Sequence, residues 1–289
     1  MQDHVAVTTP HDTTSNDTPV SGSPGEPPDT SGTHRLRKRY EEFSLAVTLL
    51  TRCPWPRFEI ITTASLTGAV WAYPIIGAGV GTIGASVGVL AMTAGLGPWI
   101  SALLTVAAII LVTGGLHEDG LADFCDGVGG GQTRDAKLQI MRDSRLGTYG
   151  VLAIIFAVFL HTAAVSALME HQTAMAAAAS LVAAVAISRA MVLVPMWLLC
   201  SVRNDGQTAV FETPGRVTTV CTILIAVGVG ALAWPPAILL ACLMSAGAAA
   251  LVVTAIASTY LGGYSGDGLG ATIALSHVAI LLMAVSLTS

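Results

Sequence analysis

Beyond residue 40 the chain alternates long apolar runs with short polar breaks. Seven runs are long enough, or nearly so, for the roughly 20 residues that carry a helix across a bilayer. They cover about 66 to 91, 98 to 115, 148 to 168, 174 to 200, 217 to 233, 236 to 258 and 270 to 288. The fifth is short, and the fourth is long enough to bend near Pro195, where a backbone N–H is missing. At the other extreme, residues 1 to 34 contain no Leu, Ile, Phe, Tyr or Trp and are rich in Thr, Ser, Pro, Asp and Gly. Such a segment cannot bury enough apolar surface to offset its chain entropy, so a disordered tail is expected, with no apolar core for a cleaved secretory signal. Between tail and first span, Arg35, Arg37, Lys38 and Arg39 precede an amphipathic stretch from Tyr40 to Thr51 carrying Phe43, Leu45, Val47, Leu49 and Leu50. This predicts a helix on the membrane surface or against the bundle, ended by Pro54-Trp55-Pro56.

Composition agrees with the pattern. Of 289 residues, 53% are hydrophobic and only 11% charged, with a mean hydropathy of +0.70, whereas soluble domains are roughly 45–50% apolar and roughly 25% charged. The fold class expected is all-α: a polytopic membrane protein in which residues 35 to 289 form one membrane-embedded catalytic domain. The net charge of -5 adds little, because the acids divide between the tail and one central stretch. The placement of Lys and Arg says more. With the N-terminus inside, the outward connections (about 92 to 97, 169 to 173 and 234 to 235) carry neither residue, and twelve of the thirteen basic residues fall inside. The five cysteines form no C-x-x-C pair and support neither a disulfide framework nor a zinc site. Gly79-Val80-Gly81-Thr82-Ile83-Gly84 fits a dinucleotide fingerprint but lies inside a span; Gly77 with Gly81, and Gly84 with Gly88, are instead small residues four apart that let helices approach closely.

Charge is concentrated between Gly114 and Gly150, which hold six of the eighteen acids, Glu118, Asp119, Asp123, Asp126, Asp135 and Asp143, with Arg134, Lys137, Arg142 and Arg145 among them. Asp119, Asp123 and Asp126 are spaced i, i+4, i+7, so a helix continuing past Gly115 sets all three carboxylates in one stripe. Clustered oxygen ligands call for a hard cation such as Mg²⁺, which takes carboxylates together with substrate phosphates. Gly129-Gly130-Gly131 then breaks the helix, Thr133 is a candidate N-cap, and Arg134 to Asp143 reads as a second helix that returns Asp143 to the stripe. Arg142 and Arg145 flank it and suit phosphate oxygens. Metal-holding acids, phosphate-holding arginines and a low-dielectric border together point to phosphoryl transfer.

Three further features bear on the site. His117 stands beside Glu118 as a candidate base or ligand. Arg189, after Ser188, falls about two-thirds of the way along the fourth span, where a charge is costly and is expected to face an internal polar cavity with an acid or a phosphate as partner. The loop from Leu261 to Gly270 has five glycines and Asp267, a composition that exposes N–H donors to a phosphate; Gly266 and Asp267 are its candidate contacts.

These stretches resemble a known family. H-E-D-G-L-A-D-F-C-D-G from His117 to Gly127 and I-M-R-D-S-R-L-G-T-Y-G from Ile140 to Gly150 are similar to the signature of the cobalamin synthases, the adenosylcobinamide-GDP ribazoletransferases. Thr51-Arg52 with Pro54 and Pro56, Ser188-Arg189, Gly206 with Phe211, and L-G-G-x-x-G-D-x-L-G-A from Leu261 to Ala271 extend the likeness over nearly everything after about residue 42. The resemblance implies a multi-pass, Mg²⁺-dependent enzyme of the inner cell membrane with its active site facing the cytoplasm. Its substrates would be adenosylcobinamide-GDP and α-ribazole or α-ribazole 5'-phosphate, in the late condensation of cobalamin synthesis. The expected metal ligands are Asp119, Asp123, Asp126 and Asp143; Asp143, Asp126 and His117 are the catalytic candidates. Arg142, Ser144, Arg145, Arg189, Gly266 and Asp267 are the substrate-binding candidates. The expected partners are those substrates and the lipid bilayer, with no nucleic acid and with a homo-oligomer compatible. The chain departs from the family at Ala274 and His277, where members often carry acids.

Two other classes fit less well. A CDP-alcohol phosphotransferase shares Asp123, Asp126 and Gly127 with this chain, but Gly130 and Gly131 stand where its Ala-Arg belongs, and Gln139 lies between Asp135 and Asp143. A transporter would place acids within the spans, whereas here they gather at one border, and no inverted repeat is evident.

Overall fold

The computed structural model describes residues 32–56, 63–143, 145–202 and 213–288, so most of the amino-terminal tail, Ser144, Arg203, Gly206 and Phe211 lie outside the described residues. Those described form helices, and the one strand-like pairing among them is an isolated parallel bridge between Ser201 and Tyr264. In chain order the helices are α1 (Gly32–Leu50), α2 (Thr63–Gly68), a 3₁₀ turn (Ala69–Ala72), α3 (Tyr73–Thr93), α4 (Gly97–Thr113), α5 (Leu116–Gly130), α6 (Arg134–Ile140), α7 (Thr148–His171), α8 (Ala174–Ala190), α9 (Leu193–Leu198), α10 (Arg216–Ala233), α11 (Pro236–Leu261) and α12 (Gly266–Thr288).

Six helical segments are long and apolar enough to cross a membrane, and a seventh is reached if the bent pair α4 and α5 counts as one span. All seven predicted runs fall on these segments. The connections free of Lys and Arg are a few residues long, as between α10 and α11, where Trp234 and Pro235 alone intervene. The long fourth segment breaks at Met191 and Val192, and α9 resumes beyond them. The cause lies one turn ahead, because Pro195 has no N–H to return to the carbonyl of Met191; the amide of Val194 takes that carbonyl instead, at 3.0 Å.

Helix α1 starts at Gly32, earlier than the composition suggests, and its residues 35–40 are exposed while Ala46, Val47 and Leu50 are buried. It therefore packs against the bundle. Glu42 anchors it: its Oε2 accepts Arg39 Nη1 and Trp71 Nε1, both at 2.8 Å.

Helix α8 is the centre of the molecule. Its sequence is mostly alanine, and it packs on α3, α7, α10 and α12. Small side chains are what permit that many close neighbours in a setting where packing, and not expulsion of water, drives association. The glycine pairs of α3 divide the work. A methyl group added at Gly77 would lie 2.7 Å from the Val185 carbonyl oxygen, and one at Gly81 would lie 2.9 Å from the Val182 Cα, so this pair seats α3 on α8. Gly84 and Gly88 face Ile109 and Thr105 of α4. A second, smaller apolar cluster joins Leu121 and Phe124 of α5 to Met141, to Val253, Ala257 and Leu261 of α11, and to Ala271 of α12. It fixes the charged stretch against one end of the bundle, called here the motif face.

Gly79, on the same helix, has nothing within 4 Å of an added methyl. Gly81→Val is expected to destabilise the purified protein by roughly 1–3 kcal/mol through overpacking. Gly79→Ala is expected to leave it unchanged or slightly more stable. Thermal unfolding in detergent compares the two, and equal midpoints for both variants would refute the α3–α8 seat.

Candidate active site

The site is built around a broken helix. Gly114 and Gly115 both adopt left-handed backbone, with φ of +68° and +71°, a conformation open to glycine at little cost. The chain turns there by 86°. The expected continuous helix past Gly115 is thus corrected: α5 is a new helix, and Gly115 at its N-cap offers no side chain to the first amides. The side chain of Arg52 lies against Gly114, and its backbone amide donates to the Val112 carbonyl at 2.8 Å.

Along α5 the acidic stripe runs from surface to interior. Asp119 is exposed, Asp123 is half-buried and Asp126 is buried. Asp126 is fully engaged. Its Oδ2 accepts the amide of Gly147 at 2.7 Å, and its Oδ1 accepts the amide of Gly150 at 2.8 Å. Gly147 is the N-cap of α7 and has no side chain of its own to give. The carboxylate therefore caps α7 from another helix, where anionic oxygen is favoured by the free amides and the helix dipole. A Cβ at Gly147 or Gly150 would run into that carboxylate.

The return stroke is shorter than expected. Thr133 caps α6, accepting the Ala136 amide at 3.3 Å, but α6 ends at Ile140 and not at Asp143. The amides of Arg142 and Asp143 turn back to the carbonyls of Gln139 and Ile140, at 3.1 and 3.0 Å, which closes the helix in a tight turn. Met141 packs into the space left by Gly127. Two of the stretch's cations are structural. Lys137 donates to the Val128 carbonyl at the end of α5 and stands 5.1 Å over the Tyr260 ring. Arg134 Nε donates to the Leu261 carbonyl at 2.7 Å, closing the end of α11.

Asp143 is paired with Arg145, Oδ2 to Nη2 at 2.6 Å, and its Oδ1 takes the Arg145 amide at 3.1 Å. These bonds hold the Asp143 carboxyl below the usual carboxylate range. Arg142 and Arg145 are exposed, and Ser144 between them lies outside the described residues. Among the described residues no three of His, Cys, Asp and Glu are placed to hold a metal ion. The four expected ligands, Asp119, Asp123, Asp126 and Asp143, are therefore not gathered into a closed cage.

The glycine loop is also partly committed to structure. Gly262 ends α11 in left-handed backbone at φ +75°. The amide of Tyr264 donates to Cys200 O at 3.0 Å, and that of Gly268 to Ser265 Oγ at 3.1 Å. Gly266 and Asp267 open α12, and α5 crosses it so closely that a methyl on Gly120 would lie 3.1 Å from both the Asp267 carbonyl oxygen and the Gly270 Cα. Those glycines bring the motif helix and the loop helix together.

Arg189 is only 2% exposed and does not snorkel to a surface. Its Nη1 donates to the Val185 carbonyl at 3.2 Å and to Ser188 Oγ at 3.0 Å. Within its electrostatic reach are Glu118, His117, His161 and His277. The last two stack edge to face with ring centroids 4.3 Å apart. Sequence reasoning singled out His117 and Arg189 but passed over His161 and noted His277 only as a departure. The signal was available, since His161 is a lone ionisable residue inside an apolar run.

Comparison with known proteins follows the same residues. A family model described as cobalamin-5-phosphate synthase matches residues 42–285. A Bradyrhizobium diazoefficiens protein named adenosylcobinamide-GDP ribazoletransferase is 36% identical over 255 residues, covering 88% of this chain and 97% of its own. A protein of the same name from Mesorhizobium japonicum is 38% identical over 261 residues, covering 88% and 96%. One from Rhizobium etli is 36% identical over 241 residues, covering 82% and 93%. No solved structure matches the chain. The matched segment holds the acidic stripe, the Asp143 turn, Ser188-Arg189 and the glycine loop, and on it rests the conclusion that the chain belongs to the cobalamin-5-phosphate synthase family.

Proposed function

We propose that this chain is an Mg²⁺-dependent adenosylcobinamide-GDP ribazoletransferase of the inner cell membrane, with its motif face toward the cytoplasm. The observation that carries the reading is similarity over 88% of the chain to proteins of that name. The orientation is supported by the basic residues, twelve of thirteen of which fall on one side. In the reaction, a ribose hydroxyl of α-ribazole, or of its 5'-phosphate, attacks the phosphorus bearing cobinamide. The new O–P bond forms as the bond to the GMP oxygen breaks, GMP leaves with the electron pair, and the hydroxyl proton passes to a base. The products are adenosylcobalamin, or its 5'-phosphate, and GMP.

The residues divide by their exposure and by their place on the helices. Asp119 and Asp123, one turn apart on α5 and not buried, would hold the metal. Mg²⁺ commonly takes one or two carboxylates and fills its shell with water and substrate phosphate, so an open pair of acids fits it. Bound there, the ion would neutralise charge developing on the phosphate oxygens. Asp126, with each oxygen already accepting an amide, is a positioning residue that sets the angle between α5 and α7. Asp143, kept ionised by Arg145, is the weaker base for that reason and contributes negative charge. His117, buried with neither ring nitrogen hydrogen-bonded among the described residues, is the second candidate to take the proton. Arg142 and Arg145 stand exposed at the entrance and can receive the pyrophosphate.

Purified protein should release GMP from adenosylcobinamide-GDP and α-ribazole in a manner that EDTA abolishes; no release with either form of the acceptor would overturn the assignment. Asp123→Asn should lower turnover by at least about a hundredfold while leaving membrane insertion and thermal stability intact. Near-normal Mg²⁺-dependent turnover in that variant would sink the metal role. Asp126→Ala should behave differently, losing roughly 2 kcal/mol of stability along with activity, because two amides at the start of α7 lose a charged acceptor. An unchanged melting temperature would refute the capping role.

A further inference from the structure

Between α5, α7, α8 and α12 the bundle encloses a group of polar side chains that no packing requirement explains. His117, His161, Arg189 and His277 are each at most 6% exposed, and Glu118 beside them is half-buried. Five of their atoms are buried without a hydrogen-bond partner among the described residues: both ring nitrogens of His117, Oε2 of Glu118, and Nε2 of His161 and of His277. Each such atom has given up its bond to water with nothing in return unless a guest supplies the missing bond. Counted along the helices at 1.5 Å per residue, His277 lies about 16 Å from the start of α12 and His161 about 20 Å from the start of α7. The group therefore sits inside the bundle and not at its rim.

Glu118 offsets part of the Arg189 charge, but donors outnumber acceptors in the group, and an oxyanion is the guest that uses them. Arg189 lies within electrostatic reach of all the other members, and its hydrogen bonds to Val185 and Ser188 engage Nη1 alone. A guanidinium offers five donors. His117 and Glu118 belong to the first turn of α5, whose N-cap Gly115 gives no side chain to the leading amides, so the positive end of that helix adds to the field. A neutral imidazole presents one N–H, and the nitrogens without a partner that can carry it toward a guest are either one of His117 and Nε2 of His161 and of His277. A cation is disfavoured by the guanidinium, and among the described residues no three acidic, histidine or cysteine side chains are placed to coordinate one.

We propose that His117, Glu118, His161, Arg189 and His277 together form a binding site for an oxyanion of the phosphate class, anchored by Arg189 and bonded by the three histidines. It lies inward of the acids on the exposed part of α5, so a phosphate group could be gripped there while its neighbour remains at the motif face. Which molecule brings the oxyanion rests on the ribazoletransferase reading; the site does not.

Thermal unfolding of the full chain in nonionic detergent tests this, in phosphate-free buffer with EDTA, as inorganic pyrophosphate is added. The midpoint should rise with concentration for the wild type and for Asp123→Asn. The rise should shrink in Arg189→Gln to at most what the exposed Arg142 and Arg145 bind, and the apparent Kd should weaken about tenfold or more in His161→Asn and in His277→Asn. The quantity read is the anion-dependent increment, which a merely structural role would not move, and the histidine variants decide the matter if Arg189→Gln does not fold. Replacing pyrophosphate by phosphatidylglycerol in the micelles separates a lipid headgroup from a free phosphate as the source. No increment from either, or one that survives in both histidine variants and disappears in Arg142→Ala with Arg145→Ala, overturns the site. GMP release failing while the increment holds would instead count against the ribazoletransferase reading alone.

Discussion

The carboxylate of Asp126 is the contact on which the charged end of the molecule depends. It is buried, it comes from α5, and it accepts two of the amides at the start of α7. Glycine at 147 and 150 is the complement of that grip, since any side chain there would collide with the oxygens. A charged acceptor on two amides is worth more than a neutral one and is also directional. It therefore sets an angle as well as a distance. Everything between the two ends of this contact, the glycine break, α6 and the Asp143 turn, is a loop whose ends are pinned by it.

That pin explains how one chain keeps acids both exposed and close to apolar helices. The face of α5 bearing Leu121 and Phe124 is buried with α11 and α12, and Gly120 lets α12 approach within van der Waals contact of the backbone. The opposite face leaves Asp119 exposed. The helix is thus held on three sides by atoms that have no part in chemistry, and the acids it presents gain their positions from that support. Lys137 and Arg134 serve the same end by closing the ends of α5 and α11.

Much of this was legible in the sequence. The apolar runs located every span, because a 20-residue hydrophobic stretch leaves the backbone little choice but helix in lipid. The i, i+4, i+7 acids did lie on one helix, and Thr133 did cap the next. The failures share a cause. The turn at Gly114-Gly115, the early end of α6 and the engagement of Asp126 are decided by contacts between residues far apart in the chain, such as Asp126 with Gly150, which periodicity does not register. That His161 and His277 belong together was hidden for the same reason, since only the packing of α7 on α12 brings their rings to 4.3 Å.

The two interruptions in the helices carry a further consequence. A backbone break at membrane depth exposes amides and carbonyls that hydrocarbon cannot satisfy, so it is tolerated only where protein surrounds it or water reaches it. The chain has one break ahead of His117, at Gly114-Gly115, and another just after Arg189, at Met191-Val192. Both adjoin the same polar group. Had the bundle needed only to be stable, an apolar cluster of equal volume in place of the three histidines and the arginine would have served at no desolvation cost. Two broken helices and a set of unpaired nitrogens in one place instead describe an interior arranged around polar matter entering from the motif face. The half-buried Glu118, between the exposed Asp119 and the buried His117, marks where that interior meets the acids.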